Sequence, residues 1–480
     1  MTLALLAVVI IRALLCKKTK ALLHDQIKIK FNQDAAIEHL SQVIQCETIS
    51  ENAGEITSPA AFIKLHAFLT RTYPAVFTCL ETQKLGEFAM LLKWQGTDHS
   101  MDPILLIAHQ DVVPVPQAEY EHWEFPPFSG TVSEGFIWGR GALDMKSTLV
   151  AILEAINQLI SKNFQPKRTL YIYLGDDEEV GGPTAKKAAA WMASQKIKLS
   201  YIIDEGGAIL DKMVPGVNPP ICLIGIGQKG ALNLKLSVKG HSGHSAQPPR
   251  STPIDILGSA VAKIKQNEMP IHSNSLVFPL FEKLAPYMPF TQRLIMTNLW
   301  LFKSFLAAKL AKIPLMNAMM RTTAVPTIFN AGFKQNVIPE IASAIINYRL
   351  YPGDTRADVV KHVEGLLKNS EVNINVVDDF NGPTVSKTDA FGYKIINETI
   401  QQISDDPVII APVLTIGSTD ARHFAALTEH AYQFLFIRGT IEDFKGYHGM
   451  NERISIKNYI NSIHFYYQLI KNSQTQCSIL

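Results

Sequence analysis

The stretch Leu105 to Val113, "LLIAHQDVV", is apolar for four residues and then sets His109 two positions before Asp111. Along an extended chain residues i and i+2 share a face, so these two side chains can touch. A carboxylate beside an imidazole fixes its tautomer, which serves a metal ligand or a general base. In isolation the pair reads equally well as a core histidine satisfied by a local aspartate. The pattern recurs, however. Asp144 follows two glycines in "GRGALDMKS", Asp176, Asp177, Glu178 and Glu179 stand together in "LGDDEEVGG", Asp204 and Glu205 follow an apolar run in "IIDEGG", and His448 lies in the Gly-flanked "GYHGMNE". Crowded carboxylates at a strand end repel one another unless a cation offsets them. Histidines combined with carboxylates suit a borderline cation such as zinc, whereas oxygen-only shells suit calcium or magnesium. His109, His448 and these acids exceed the ~three protein ligands of a single catalytic zinc. A two-metal site bridged by one carboxylate fits the inventory better.

The elements that must position these residues are short apolar strands alternating with helices. Strands are expected in "FAMLLKW", "ILLIAHQDV", "TLYIYLGD" and "LSYIIDEG", and helices over Ser147 to Lys162 and Pro183 to Lys196. This alternation predicts an α/β domain with a mostly parallel sheet, whose strand ends are where ligands bind. From Gly230 the order changes. A strand (Ala231 to Lys239), a helix (Pro253 to Lys265), two strands (Val325 to Ala331, Ala342 to Leu350), a helix (Thr355 to Leu367) and a strand (Val372 to Val377) make a βαββαβ unit. After Asn381 the first alternation resumes with "VIIAPVLTIGSTD" and "AYQFLFIRG", so the second unit is inserted into the first. It carries an extra apolar insertion over about 274–323, in which Leu294 to Met316 reads as one helix with Thr297, Asn298, Ser304, Lys309 and Lys312 on its polar side.

The 480 residues are too many for one core. Lys plus Arg number 45 against 43 Asp plus Glu, a balance that recommends neither nucleic acid nor an acidic polymer as partner. Cys16, Cys46, Cys79, Cys222 and Cys477 are scattered and form neither a CxxC metal site nor a disulfide framework. Thr2 to Cys16 is apolar apart from Thr2 and Arg12 and is followed by Lys17, Lys18 and Lys20. It is shorter than the ~20 residues of a bilayer span and lacks a basic leading region and a clear cleavage site. Its expected role is membrane targeting or anchoring, making the protein membrane-associated or exported.

With these motifs assembled, the chain resembles the di-zinc aminoacylase and carboxypeptidase metallopeptidases, closest to the carboxypeptidase S and N-fatty-acyl-amino-acid synthase/hydrolase branch. The resemblance runs from about Lys30 to Ile470 and rests on "AHQDVVPVP", "PPFSG", "GRGALDMKS", "IDEGGAILD", "GHSAQPP", "MRTTAVPTIF", "NVIP", "GSTDARHF" and "EDFKGYHGMNE". It implies a catalytic domain in two parts, 26–229 and 380–480, after an N-terminal segment, 1–25, and an inserted ferredoxin-like lid over 230–379 that can also mediate a homodimer.

The same resemblance implies two zinc ions per chain. His109, Asp144 and Glu205 would bind one; Asp144, Glu179 and His448 would bind the other. Asp204 stands beside Glu205 as the alternative ligand, with Glu205 ranked first by the family's pattern. Asp111 would orient His109, and Glu178 would be the general base; Asp176 is an extra acid with an expected solvated role. His244 falls where the family stabilises the oxyanion, often reaching a partner subunit's site from the lid. Asn336 and Arg349 stand where it binds the substrate carboxylate. The implied activity is hydrolysis, and in reverse formation, of the amide of an N-acyl, chiefly N-fatty-acyl, amino acid. The alternative is a di-zinc carboxypeptidase or dipeptidase, and a rival of another class is an inactive binder of acylated amino acids.

Overall fold

Ile104–His109, Leu170–Gly175 and Tyr201–Asp204 are buried along their whole length, as befits strands covered on both faces. The computed structural model describes residues 3–18, 26–53, 55–368 and 370–475. In it these strands lie parallel at the centre of a ten-stranded mixed sheet. Alternation along them splits the core in two. Leu106 and Ile172 face the helices Lys146–Ser161 and Ile456–Asn472. Leu105, Ile107 and Tyr171 face Pro183–Ser194, whose Ala185, Ala188 and Met192 let it pack closely. The chain after Asn381 returns Ala431–Gln433 to the sheet beside Tyr201–Asp204, and Ile409–Thr415 beside Ile221–Gln228. The α/β reading with two separated chain segments in one sheet is therefore borne out.

The inserted unit forms a four-stranded antiparallel sheet in the order Thr323–Ala331, Ile341–Leu350, Gly230–Lys239, Asn373–Phe380. Pro253–Gln266 and Arg356–Leu366 pack on it, each started by a reciprocal Thr-Asp cap (Thr252 with Asp255, Thr355 with Asp358). The two chain crossings between the sheets touch. A Cβ on Gly230 would lie 2.5 Å from Gly382 N, and one on Gly382 2.6 Å from Gln228 O, so both positions need glycine.

The insertion differs from the single helix expected. It breaks into Phe290–Met296, Leu299–Leu310 and Pro314–Ala318. Asn298, placed on the polar side by the periodicity, is instead buried at the break and donates to Leu294 O at 2.8 Å and Val9 O at 3.0 Å. A side-chain amide competing for helix carbonyls ends the first helix there. Leu299, Leu306, Leu310, Met319 and Met320 pack with Val217, Ile221, Ile409 and Val413, so one face of the insertion is cemented to the edge of the large sheet. Trp300, Leu301 and Phe305 on the other face are exposed.

The N-terminal helix, Leu3–Leu15, buries Val9 and Ala13 against this insertion, and Arg12 Nε donates to Thr297 O at 3.3 Å. Among the described residues no helix is long and apolar enough to cross a membrane. Residues 1, 2 and 19–25 of the expected targeting segment, and Cys477, lie outside the described residues.

Candidate metal centre

Three parallel strands end at one edge of the sheet and deliver the acids there. His109 closes its strand, and Asp111 already lies beyond it. Their contact runs mainly through the backbone: His109 Nδ1 is 2.9 Å from Asp111 O and 3.4 Å from Asp111 Oδ1. The Asp111 carboxylate, fully buried, does a second task that the sequence did not announce. It accepts from the backbone N–H of Glu178 at 3.3 Å and of Glu179 at 3.1 Å, fixing the turn on which both glutamates sit. Gly181 (φ +100°) and Gly182 (φ +63°) complete that turn, and a Cβ on Gly182 would fall 2.0 Å from Asp420 Oδ1.

Asp144 lies between the two histidines. Its Oδ1 is 2.9 Å from His109 Nε2 and its Oδ2 is 2.7 Å from His448 Nε2. Glu205 Oε1 is 3.7 Å from His109 Nε2, and Glu179 Oε2 is 3.1 Å from His448 Nε2. Donor atoms of His109, Glu178 and Glu205 lie within 4.8 Å of one another, as do those of His109, Asp144 and Glu179. The two groups share the His109 imidazole, and the first takes in Glu178, expected as the base, where Asp144 was expected; it is the contacts of Asp144 with both histidines that put this carboxylate between the two. Of the adjacent pair, Asp204 is committed to backbone, its Oδ1 accepting from Glu205 N at 2.9 Å and its Oδ2 from Ala421 N at 2.8 Å. Glu205 turns toward His109 and is held from behind by the Tyr447 hydroxyl, which donates to Oε2 at 2.7 Å.

The electrostatics are those of a cation site. Burial, then the charge of Glu205, pushes the Glu178 carboxyl well above its ordinary value; burial, then Asp144, does the same to Glu205. Burial also raises Glu179. Hydrogen bonds to Asp144 and Glu179 lift His448 to about 10. For His109 burial acts downward, but Asp111, Asp144 and the charge of Glu205 outweigh it and hold the imidazole well above its usual range. Buried acids this crowded call for positive charge beyond what two imidazoles supply.

The Asp176 expectation needs correction. Asp176 is buried, and its Oδ2 accepts from Phe88 N and Ala89 N, both at 2.9 Å. Its role is to tie the acid turn to the neighbouring hairpin; burial pushes its pKa up to about 6. Asp177 likewise serves structure, accepting from Thr184 N at 2.9 Å at the start of the next helix.

The lid residues stand apart. His244 pairs across a short ribbon with Val337, its Nδ1 accepting from Ala246 N at 3.0 Å, and is exposed. Asn336 adjoins it, its carbonyl accepting from Ser245 N at 3.2 Å. Arg349 lies exposed on the lid sheet opposite Ala231, near the root of the lid. Among the described residues none of these three side chains hydrogen-bonds to the His109 and His448 cluster. Tyr447, Arg140 and Glu452 were not singled out by sequence reasoning. The signal was present, because Tyr447 and Glu452 flank His448 in the quoted "GYHGMNE".

Comparison with known proteins agrees with this geometry. The model of Peptidase family M20/M25/M40 matches residues 105–472. The human N-fatty-acyl-amino acid synthase/hydrolase PM20D1 is 38% identical over 459 residues, covering 94% of this chain and 91% of that protein. A probable carboxypeptidase S-like 2 of Dictyostelium discoideum is 38% identical over 86% of this chain and 80% of its own. Carboxypeptidase S of Saccharomyces cerevisiae is 29% identical over 92% and 84%. Among solved structures, the M20 family metallo-carboxypeptidase Sso-CP2 from Sulfolobus solfataricus shares the fold with a TM-score of 0.65 at 20% identity, covering 92% of this chain and 99% of that one. Human carnosine dipeptidase 1 does so with a TM-score of 0.60 at 16% identity, covering 92% and 96%. A family model spanning most of the chain, over strand ends that gather two histidines around one aspartate, places this protein in the M20/M25/M40 peptidase family.

Proposed function

We propose that this protein hydrolyses the amide bond of N-fatty-acyl amino acids and, run in reverse, forms it. The observation that carries the proposal is Asp144 turning one carboxylate oxygen to each of His109 and His448, in a chain 38% identical to a protein named for that activity. The donor set of imidazoles and carboxylates fits two zinc ions. His109, Asp144 and Glu205 would hold one, and Asp144, Glu179 and His448 the other. Zinc there supplies Lewis-acid chemistry, acidifying water and polarising a carbonyl.

The protein's own groups do the rest. Asp111 fixes the His109 ring and the backbone of the two glutamates. Glu178 takes a proton from the attacking water and returns it to the departing amino nitrogen. The products are a fatty acid and a free amino acid. Asn336 and Arg349 recognise the substrate α-carboxylate, for which a guanidinium offers paired donors. His244, which makes no hydrogen bond to the cluster of its own chain among the described residues, acts as oxyanion donor in a homodimer joined through the lid. The exposed faces of Leu3–Leu15 and of Trp300, Leu301 and Phe305, bordered by Arg12, Lys17 and Lys18, dock at a membrane surface without crossing it.

The carboxypeptidase relatives support a second reading, cleavage of short peptides with a free C-terminal carboxylate. The two are separated by comparing kcat/KM for N-oleoyl and N-acetyl amino acids with that for dipeptides. The proposal requires the oleoyl substrates to be preferred over both. Preference for dipeptides would hand the site to the peptidase reading.

A further inference from the structure

Glu452 is fully buried and lies four positions after His448 in the same loop. Its Oε1 accepts from three backbone N–H groups of the loop that carries Asp144: Gly141 at 3.0 Å, Leu143 at 2.7 Å and Asp144 itself at 3.1 Å. Its Oε2 accepts from Arg140 Nη1 at 2.6 Å, and its backbone carbonyl accepts from Gly139 N at 2.8 Å. Arg140 is also buried, with its guanidinium over the Trp123 ring. The loop holding His448 is bent at two non-glycine residues of positive φ, His448 (+54°) and Asn451 (+58°). Asn451 Oδ1 anchors it further by accepting from Glu124 N at 2.7 Å.

We infer that Glu452 is a positioning residue that latches the Asp144 loop to the His448 loop and so sets the spacing between the shared carboxylate and the imidazole it faces. The inference rests on the metal-centre reading proposed above. The two loops lie 304 residues apart in sequence at Asp144 and His448; the strands that flank them, Phe136–Trp138 and Arg453–Ser455, pair antiparallel, and Glu452 carries that register from the ladder into the loops themselves. Converging backbone N–H groups form a concave anion-binding nest. Here the anion is a side chain from the other loop, so the loop conformation that aims Asp144 exists only while Glu452 fills the nest. A glutamine keeps an acceptor for the three N–H groups but turns an amide donor toward Arg140. An aspartate is one methylene too short to reach both.

The test uses the full chain with zinc. Glu452→Gln is compared with the unaltered protein for affinity of each zinc by chelator competition, for kcat and KM, and for amide hydrogen exchange at Gly141, Leu143 and Asp144 in the metal-free state. The expected result is a 10- to 100-fold loss of zinc affinity, a fall in kcat with KM little changed, and faster exchange at those amides. The double variant Arg140→Gln with Glu452→Gln relieves the donor clash while leaving a neutral acceptor in the nest; it should fold if the single change does not, and should recover part of the zinc affinity while kcat stays about tenfold low. Native zinc affinity and kcat in either folded variant overturn the inference. Absence of zinc binding and turnover in the unaltered protein would instead overturn the metal-centre reading, so the two failures are distinguishable.

Discussion

The Asp111 carboxylate accepts a hydrogen bond from the Glu179 backbone N–H at 3.1 Å while the Asp111 carbonyl lies 2.9 Å from the His109 ring. One residue therefore fixes a histidine from one strand end and a glutamate from the next. Asp111→Asn would present an amide donor to one of the two N–H groups and loosen the turn that carries Glu178 and Glu179, while the backbone carbonyl beside His109 stays in place. We expect zinc affinity or kcat to fall by roughly 10- to 100-fold, the usual cost of removing a group behind a metal ligand. Kinetics at saturating zinc and chelator titration check this; an unchanged enzyme would restrict Asp111 to packing.

Asp144→Ala should empty both metal positions, whereas His448→Ala should weaken mainly one. A shared carboxylate lowers the mutual repulsion of two dications, so its loss is felt twice. Elemental analysis of the purified variants decides the matter. Equal loss of both metals in the His448 variant would contradict the partition.

Metal uptake should release protons. In the metal-free protein the hydrogen bonds to Asp144 and Glu179 hold His448 at about 10, yet a ligand imidazole must be neutral. Apparent zinc affinity should therefore rise with pH toward about 10. The same raised value contributes stability to the metal-free protein that is fully present below the unfolded histidine pKa of ~6.5 and is lost as pH rises through the folded one. Calorimetry in buffers of different ionisation enthalpy measures the release, and buffer-independent heats at pH 7 would refute it.

Much of this site was legible in the sequence because it is built at strand ends. Apolar runs locate the strands, and His109, Glu179 and Glu205 follow them within a few residues. The fold was legible for the same reason, since Leu105 and Leu106 already announce burial on both faces. What the sequence hid depends on partners far away in the chain. Asp176 looks like a solvated member of an acid run, and only pairing of Ala89–Trp94 with Leu170–Gly175 brings the Phe88 and Ala89 N–H groups onto it. Asn298 fits the polar stripe of a helix until Val9 supplies a carbonyl for it. Glu452 sits in a motif noticed for its histidine, and its role appears only when Gly141 to Asp144 fold around it.

Arg349→Ala and Asn336→Ala should raise KM for substrates with a free α-carboxylate by about tenfold or more, consistent with ~1.5–3 kcal/mol for a hydrogen bond to a charged group. Carboxamide analogues, which already lack that charge, should respond far less. Equal effects on both substrate types would make the two residues structural parts of the lid sheet.

Under the proposed function the clustered acids form a metal-dependent amidase centre with Glu178 as its base. The most direct measurement is zinc content together with turnover of an N-fatty-acyl amino acid in Glu178→Gln. Glu178 lies within 4.8 Å of His109 and Glu205 but outside the assigned ligand sets, so the predicted result is two zinc ions per chain and turnover reduced by at least the ~10²- to 10⁴-fold contribution of a general base. Turnover near that of the unaltered protein, with zinc retained, would remove Glu178 from the reaction.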